Sequence, residues 1–154
     1  MTPMSDPVPV SEAVRDRFRR QRTRDTGAEM AVRRAVHARG LRYRVDVAPE
    51  PALRRRADLV FRPAKVAVFV DGCYWHGCRQ CGWMPKSNAG WWADKIQRNR
   101  ARDADTNARL LAAGWLVIRA WEHEEPERVA DQIVVAVSKR RSLQRTGGRA
   151  TAQR

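Results

Sequence analysis

The stretch ADLVFRPAKVAVFVDGCYWHGCRQC, residues 57–81, decides the fold. It begins with two short β-rich segments, ADLVF (57–61) and KVAVFV (65–70), which the turn-like tripeptide RPA separates. Because the second segment is apolar almost throughout, we expect it to be a central strand that is covered on both faces. The rest of the stretch holds every cysteine of the chain within residues 73–81. The sequence therefore predicts a buried strand that leads directly into a specialised loop.

A helix and a strand are predicted upstream of this stretch. Residues 23–40 contain Thr26 and Glu29 at the spacing of a capping box, and Gly40 is suited to end the helix. In LRYRVDV (41–47) apolar and polar residues alternate, which is typical of a half-buried strand.

Downstream, residues 88–114 predict one long helix that is capped at Asn88 and closed by Gly114. WLVIRAW (115–121) predicts another buried strand, and a final amphipathic helix runs from Pro126 to about residue 139. The order α-β-β-β-α-β-α predicts a single α/β domain with a central mixed β-sheet flanked by helices.

Composition predicts the limits of this domain. Residues 1–11 are expected to form a flexible N-terminal tail, residues 12–137 the folded domain, and residues 138–154 a basic, disordered tail. The chain has no long apolar run and no signal-peptide pattern, so we expect a cytosolic protein.

The charge of the chain indicates a polyanionic partner. There are 31 Lys and Arg against 17 Asp and Glu, a net charge of +14. Such an excess favours nucleic acid, because cationic side chains that contact phosphates release condensed counterions. The alternative is a genome biased toward arginine codons together with a solvated tail.

The cysteine loop predicts a metal site. Cys78 and Cys81 have the C-x-x-C spacing that presents two thiolates to one ion, and Cys73 supplies a third. From spacing alone, His76 and His123 are nearly equal candidates for the fourth ligand. The alternative is three ordinary free cysteines.

Two aspartates mark the ends of the adjacent predicted strands. Asp58 lies at the start of ADLVF and Asp71 at the end of KVAVFVD, which would bring both to one edge of the sheet, as Mg²⁺ chemistry on a phosphodiester requires. A solvated strand-end aspartate is the alternative. On the long helix, Asn99 and Asp103 occupy the stripe that should face inward, so we expect something inside to need them.

Taken together, these segments resemble the very short patch repair (Vsr) mismatch endonucleases, a family with a restriction-endonuclease-like fold. The matching stretches are TRDTGAE (23–29), ADLVF (57–61), VFVDGCYWHGC (68–78), NAGWWADKIQRNRARD (88–103) and AAGWLVIRAWEHE (112–124). They cover nearly all of residues 20–125 in the order and at the spacing of the family.

The resemblance implies a catalytic set. Asp58 matches the metal-binding aspartate that holds Mg²⁺ on the scissile phosphate, and Glu29 matches a glutamate that contributes through water. His76 matches a histidine at the cleavage site, and Asp103 matches the acid that orients it. Asp71 stands where well-known members have histidine, so Asp71 either activates the attacking water or binds the metal, and the general base is Asp71 or His76.

The resemblance also implies structural zinc and DNA contacts. The zinc positions are Cys73, Cys78, Cys81 and His123. The aromatic residues that match the family's wedge beside the mismatch are Tyr74, Trp75 and Trp92. Further DNA contacts are expected from the polar and basic residues Lys95, Asn99, Arg54, Arg55 and Arg56.

The expected function is that of a Mg²⁺-dependent endonuclease that nicks one strand of double-stranded DNA next to a T:G mismatch. One alternative is a restriction or phage-defence nickase of the same fold that acts on paired or modified DNA. Another is a non-catalytic, zinc-stabilised DNA-binding module. The resemblance further suggests a monomer. From composition we expect no membrane association and a location in the bacterial cytoplasm, in association with the nucleoid, and a mismatch-repair protein is a candidate second partner.

Overall fold

The computed structural model describes residues 26–73, 78, 80, 81 and 88–151. Within these residues, three helices and four strands follow one another in the expected order, so the predicted α/β domain is confirmed. The elements are α1 (Gly27–Ala38), β1 (Arg44–Val47), β2 (Ala57–Phe61), β3 (Val66–Asp71), α2 (Ala89–Ala112), β4 (Leu116–Trp121) and α3 (Pro126–Thr151). No helix in this described part has both the length and the apolar character that crossing a bilayer requires.

The four strands form one mixed sheet in the order β1-β2-β3-β4. β1, β2 and β3 are antiparallel neighbours, whereas β4 pairs parallel to β3 after the crossover through α2. β3 therefore lies between two strands, as its apolar sequence predicts, and it is the strand that joins the hairpin half of the sheet to the parallel half. In the parallel register Asp71 is opposite Trp121.

Both faces of the sheet are covered, which explains the unbroken apolar run of β3. One apolar cluster joins Leu59 and Val68 to Val36 of α1 and Ile133 of α3, and the other joins Val60 and its neighbours to Leu110 of α2. Full burial of each such side chain contributes about 1.5–3 kcal/mol. Helices α1 and α3 thus pack on one face of the sheet and α2 on the other. This packing holds in place the strand ends that carry Asp58 and Asp71.

Helix α1 begins with the predicted capping box. The Thr26 hydroxyl accepts a hydrogen bond from the Glu29 N–H and the Glu29 carboxylate accepts one from the Thr26 N–H, each at 3.3 Å. After the helix, Gly40 has a φ of 84°, a left-handed conformation that favours glycine. The capping role of Glu29 is therefore confirmed, and the glutamate is also buried.

Two expectations about the second half of the chain are wrong. Asn88 occupies the position before α2 in a left-handed conformation, but its side chain makes no capping hydrogen bond. The strand β4 is not fully buried: apart from Ala120 its residues are half-buried, because β4 is the edge strand of the sheet. Gly114, with a left-handed φ of 85°, does follow the end of α2 as predicted.

Helix α3 is longer than predicted. It was expected to end near residue 139, with a disordered tail from residue 138, but the helix continues to Thr151. The reason is tertiary. The Arg140 guanidinium donates to the carbonyl of Ala64 at 3.0 Å and to that of Gly114, and the Gln144 amide donates to the carbonyl of Pro63 at 2.8 Å. These contacts attach the helix to the turns at the end of the sheet opposite Asp58 and Asp71.

We expect Arg140→Ala to lower the free energy of unfolding by about 1–2 kcal/mol, because removal of the charged donor leaves the carbonyls of Ala64 and Gly114 without this hydrogen bond. Urea denaturation followed by circular dichroism measures this change. Arg145→Ala, at an exposed position of the same helix, is the matched control and should leave the midpoint unchanged. An Arg140→Ala midpoint equal to that of the parent chain would contradict the anchoring of α3.

Candidate active site and metal centre

Carboxylates gather at one edge of the sheet. Because β2 and β3 are antiparallel, the start of β2 and the end of β3 meet there, and Asp58 and Asp71 occupy those two positions. The predicted proximity of the two strand ends is confirmed. We call Glu29, Asp58, Asp71 and Asp103 the acidic edge.

The pKa of Asp58 is strongly raised from its ordinary value. Burial, with a smaller contribution from the neighbouring charges of Glu29 and Asp71, raises the pKa of Asp58 to about 7, although a hydrogen bond from Val70 and the charge of Arg33 act in the opposite direction. The Val70 N–H donates to Asp58 Oδ2 at 2.6 Å. The Asp58 side chain is thus fixed in a site that disfavours its negative charge. A cation bound beside the carboxylate would offset that electrostatic cost.

Asp71 is held by an arginine that the sequence analysis did not single out. Nη1 of Arg119 donates to both Asp71 oxygens, at 2.9 and 3.0 Å, and also lies 3.4 Å from an oxygen of Asp103. Asp103 therefore does face inward, as its position on α2 predicts, and one group that needs it is Arg119. The available signal was a lone arginine in the otherwise apolar strand WLVIRAW.

A second arginine lies beneath the acidic edge. Nη2 of Arg33 is 3.6 Å from Oε2 of Glu29, and both side chains are less than 10% exposed. The Arg33 carbonyl accepts a hydrogen bond of 2.7 Å from the Tyr43 hydroxyl, which ties α1 to the strand region. In sequence Arg33 is one of many arginines, and nothing distinguished it as the buried one.

The three cysteines and His123 form a compact ligand group. Nδ1 of His123 lies 3.0, 3.6 and 3.5 Å from the sulfurs of Cys73, Cys78 and Cys81. All four ligand atoms lie within 4.8 Å of one another. A tetrahedral zinc with ordinary bond lengths separates sulfur from nitrogen by about 3.6 Å, so these residues fit zinc. Of the two histidines considered, the structure brings His123 to the cysteines, whereas His76 lies outside the described residues.

This cysteine group attaches the loop to the parallel strand pair. Cys73 follows β3 and His123 follows β4, and the Cys73 N–H donates to the Glu122 carboxylate at 3.0 Å. Inside the loop the Cys78 N–H donates to the Cys73 carbonyl at 3.0 Å. Burial and the neighbouring thiols raise the pKa of Cys73 to about 12, so without metal this thiol keeps a proton that zinc would displace.

The carboxylates are less tightly grouped than the thiols. Among the described residues, only the Cys₃His group brings three or more ligand atoms so close together. Glu29 and Asp71 nevertheless act on Asp58 through their charges, and oxygen donors of this kind are the ligands that Mg²⁺ prefers. The acidic edge therefore fits a hard cation by its chemistry and charge.

The expected DNA contacts differ in how available they are. Arg54 is exposed with a φ of 51°, and Arg56 is 64% exposed beside Asp46. Arg55 points back to α2, where it donates to the Arg102 carbonyl and to Thr106.

Of the three aromatic residues expected to contact DNA, Trp92 is described, and it lies at the start of α2. Trp92 stands edge-on to Trp91 at 4.8 Å, and the Lys95 ammonium lies 5.1 Å from the Trp91 ring. Trp92 and Asn99 are half-buried, and each has further interactions within the structure. Tyr74 and Trp75 lie outside the described residues.

We expect His123→Ala to lower both the zinc content and the melting temperature, because it removes one of four ligands. His37→Ala is the matched control, since His37 is exposed on α1 and far along the chain from the cysteines. Zinc per chain is measured by elemental analysis and melting by differential scanning fluorimetry. Full zinc content in His123→Ala would show that His123 is not a ligand.

We expect Asp58→Asn to stabilise the protein at pH 8 and to have little effect near pH 4. The folded-state pKa of about 7 is above the ordinary value of 3.8, so the folded state holds the proton more tightly and stability falls as pH rises from about 4 to 7. Above pH 7 the amide removes a penalty on the order of 2–4 kcal/mol.

Urea denaturation at pH 4.5 and pH 8, without added Mg²⁺ and without chelator, tests this expectation. Asp131→Asn is the control, because Asp131 lies exposed on α3, where it pairs with Arg39. A loss of stability in Asp58→Asn that is the same at both pH values would contradict the burial of this charge.

Comparison with known proteins identifies the family. Residues 11–82 match the family model described as DNA mismatch endonuclease Vsr. The type II nicking enzyme V.NaeI of Lentzea aerocolonigenes is 38% identical over 130 residues, which cover 83% of this chain and 78% of that protein. The type II nicking enzyme V.XorIIP of Xanthomonas oryzae pv. oryzae is 41% identical over 105 residues, 67% of this chain and 74% of that protein. The DNA mismatch endonuclease Vsr of Escherichia coli is 33% identical over 102 residues, 65% of this chain and 63% of that protein. The chain therefore belongs to the restriction-endonuclease-like Vsr family and is a DNA endonuclease rather than a non-catalytic DNA-binding module.

Proposed function

We propose that this endonuclease uses Mg²⁺ to nick one strand of double-stranded DNA next to a T:G mismatch. The observation that carries the proposal is the state of Asp58, a largely buried carboxyl with a pKa of about 7 beside Glu29 and Asp71. A buried carboxyl surrounded by like charges is a poor structural choice but a good site for a divalent cation. The family match and the nicking enzymes among the relatives support the same reaction.

In this proposal Asp58 and Asp71 hold the ion, and Glu29 contributes through water. When bound, Mg²⁺ supplies Lewis acidity at the scissile phosphate. Asp58 would have to lose its proton to hold the ion, so binding would be favoured at pH values above 7. Both Asp71 oxygens already accept hydrogen bonds from Arg119, so we assign the acceptance of the water proton to His76. Asp103 is the acid that orients His76 in this scheme.

Recognition of the mismatch is assigned to the aromatic residues Tyr74, Trp75 and Trp92. Base–aromatic stacking contributes about 1–3 kcal/mol per base, and a wobble pair is easier to unstack than a Watson–Crick pair. Arg54, Arg56 and Lys95 are the proposed phosphate contacts, and Asn99 is a further proposed DNA contact. Arg55 holds the segment between β1 and β2 against α2. The Cys₃His group holds a structural zinc that keeps the loop in place next to the acidic edge.

A second candidate is a nickase that acts on fully paired or modified DNA in restriction or phage defence. One observation favours it: V.NaeI and V.XorIIP are both named type II nicking enzymes, and neither name contains the word mismatch. Action as a monomer near the nucleoid of a bacterial cytoplasm, and recruitment of a mismatch-repair protein, belong to the mismatch-repair proposal.

The deciding experiment compares duplexes that differ at one position, T:G or T:A, in several sequence contexts with Mg²⁺. We expect a single nick confined to T:G duplexes. Asp58→Asn should lose about a thousandfold or more in rate, because several kcal/mol of transition-state stabilisation depend on the ion. Asp131→Asn should nick like the parent chain.

Each other outcome has a definite meaning. Equal nicking of T:G and T:A duplexes, or nicking that depends on base methylation, would replace mismatch repair by the second candidate. Undiminished nicking by Asp58→Asn would remove the acidic edge from the mechanism. Activity without any divalent cation would contradict the dependence on Mg²⁺.

A further inference from the structure

Arg119, on β4, is fixed by residues from two other elements of the fold, β3 and α2. Nη1 bonds to Asp71 at the end of β3 and lies near Asp103 of α2, while Nε donates to the Asn107 side chain at 2.8 Å, one turn further along α2. The guanidinium also lies over the Phe69 ring, 4.4 Å from its centre. Neither the family match nor the relatives' names assign a role to this residue.

The register of the sheet explains this reach. Arg119 is paired with Phe69 in the parallel β3–β4 ladder, two residues before Asp71. Its side chain stacks on its cross-strand partner and extends along the strand direction to the carboxylate. Planar stacking and a fork of N–H donors are properties of arginine that lysine lacks.

Packing alone does not account for an arginine here. Its strand neighbours are apolar, and its own side chain is only 20% exposed. An apolar side chain of similar volume is often as stabilising as a buried ion pair, or more so. In addition, the arrangement brings Asp71 and Asp103, two like charges, to a single nitrogen, which stability by itself does not require.

We propose that Arg119 is a positioning residue for the nicking reaction. It holds the Asp71 carboxylate in a fixed orientation at the end of β3 and couples that orientation to α2, the helix that carries Trp92, Lys95 and Asn99. The proposal rests on the function proposed above for Asp71. Contact of DNA with α2 and placement of the Asp71 carboxylate are thereby mechanically linked through one guanidinium.

The test is a double-mutant cycle in single-turnover nicking with saturating enzyme. The four proteins are the parent chain, Asp71→Asn, Arg119→Met and the double variant. A carboxylate misplaced by about 1 Å costs about a hundredfold in rate, so we expect losses of that size in each single variant. Because Arg119 acts through Asp71, the double variant should be no slower than the slower single one.

Two further measurements separate positioning from general damage. Affinity for duplex DNA with Ca²⁺ in place of Mg²⁺ should change little in comparison with the rate. Arg119→Lys keeps the charge but loses the stack and the fork, and should fall between the parent chain and Arg119→Met. Arg39→Met is the matched control, because Arg39 also bridges two carboxylates, those of Glu127 and Asp131 on α3. This variant should nick normally.

Multiplicative losses in the double variant, within about twofold of the product expected for independent sites, would overturn the proposal. So would full activity in Arg119→Met. If Arg119→Met does not fold, Arg119→Lys carries the same cycle with Asp71→Asn. A parent chain that nicks no duplex would instead overturn the proposed function, and the role of Arg119 with it. If the parent chain is active and Arg119→Met nicks at the same rate, only the role of Arg119 is overturned.

Discussion

The electrostatic cost of placing carboxylates together at one buried edge of the sheet is the constraint on which the rest of the site depends. Asp58 shows it directly, since burial and the charges of Glu29 and Asp71 raise its pKa to about 7. Two arginines offset the charge from opposite sides, Arg33 beneath Glu29 and Arg119 beside Asp71. The raised pKa of Asp58 shows that the arginines do not cancel the cost of its charge, which is the property that the proposed cation would use.

The zinc-competent group is built on the same two strand ends as the acidic edge. Asp71 ends β3 two residues before Cys73, and the Asp71 carbonyl accepts a hydrogen bond of 3.0 Å from the Glu122 N–H, one residue before His123. The parallel pairing of β3 with β4 thus places the Cys₃His group next to the carboxylates. A zinc ion held by this group would link the ends of the two strands.

Apart from the cap expected at Asn88, the predictions that depend on local sequence are confirmed, whereas the predicted end of the last helix, which depends on distant contacts, was wrong. Strand segments, the Thr26–Glu29 capping box and the stop at Gly40 follow from neighbours in the chain, and all are present. The disordered tail predicted after residue 138 was wrong, because Arg140 and Gln144 bind carbonyls at the turns of the sheet, contacts that no local pattern encodes.

For this protein the sequence by itself determined the element order, the central position of β3, the cysteine spacing and the proximity of Asp58 to Asp71, because these depend on periodicity and chain connectivity. Only the tertiary structure decided that β4 is a half-buried edge strand and that Arg33 and Arg119 compensate the acids. The physical reason is that a side chain's partners and dielectric surroundings come from other elements of the fold. Among the 31 basic residues, no local pattern distinguishes Arg33, and the apolar strand around Arg119 does not reveal which carboxylates this arginine meets.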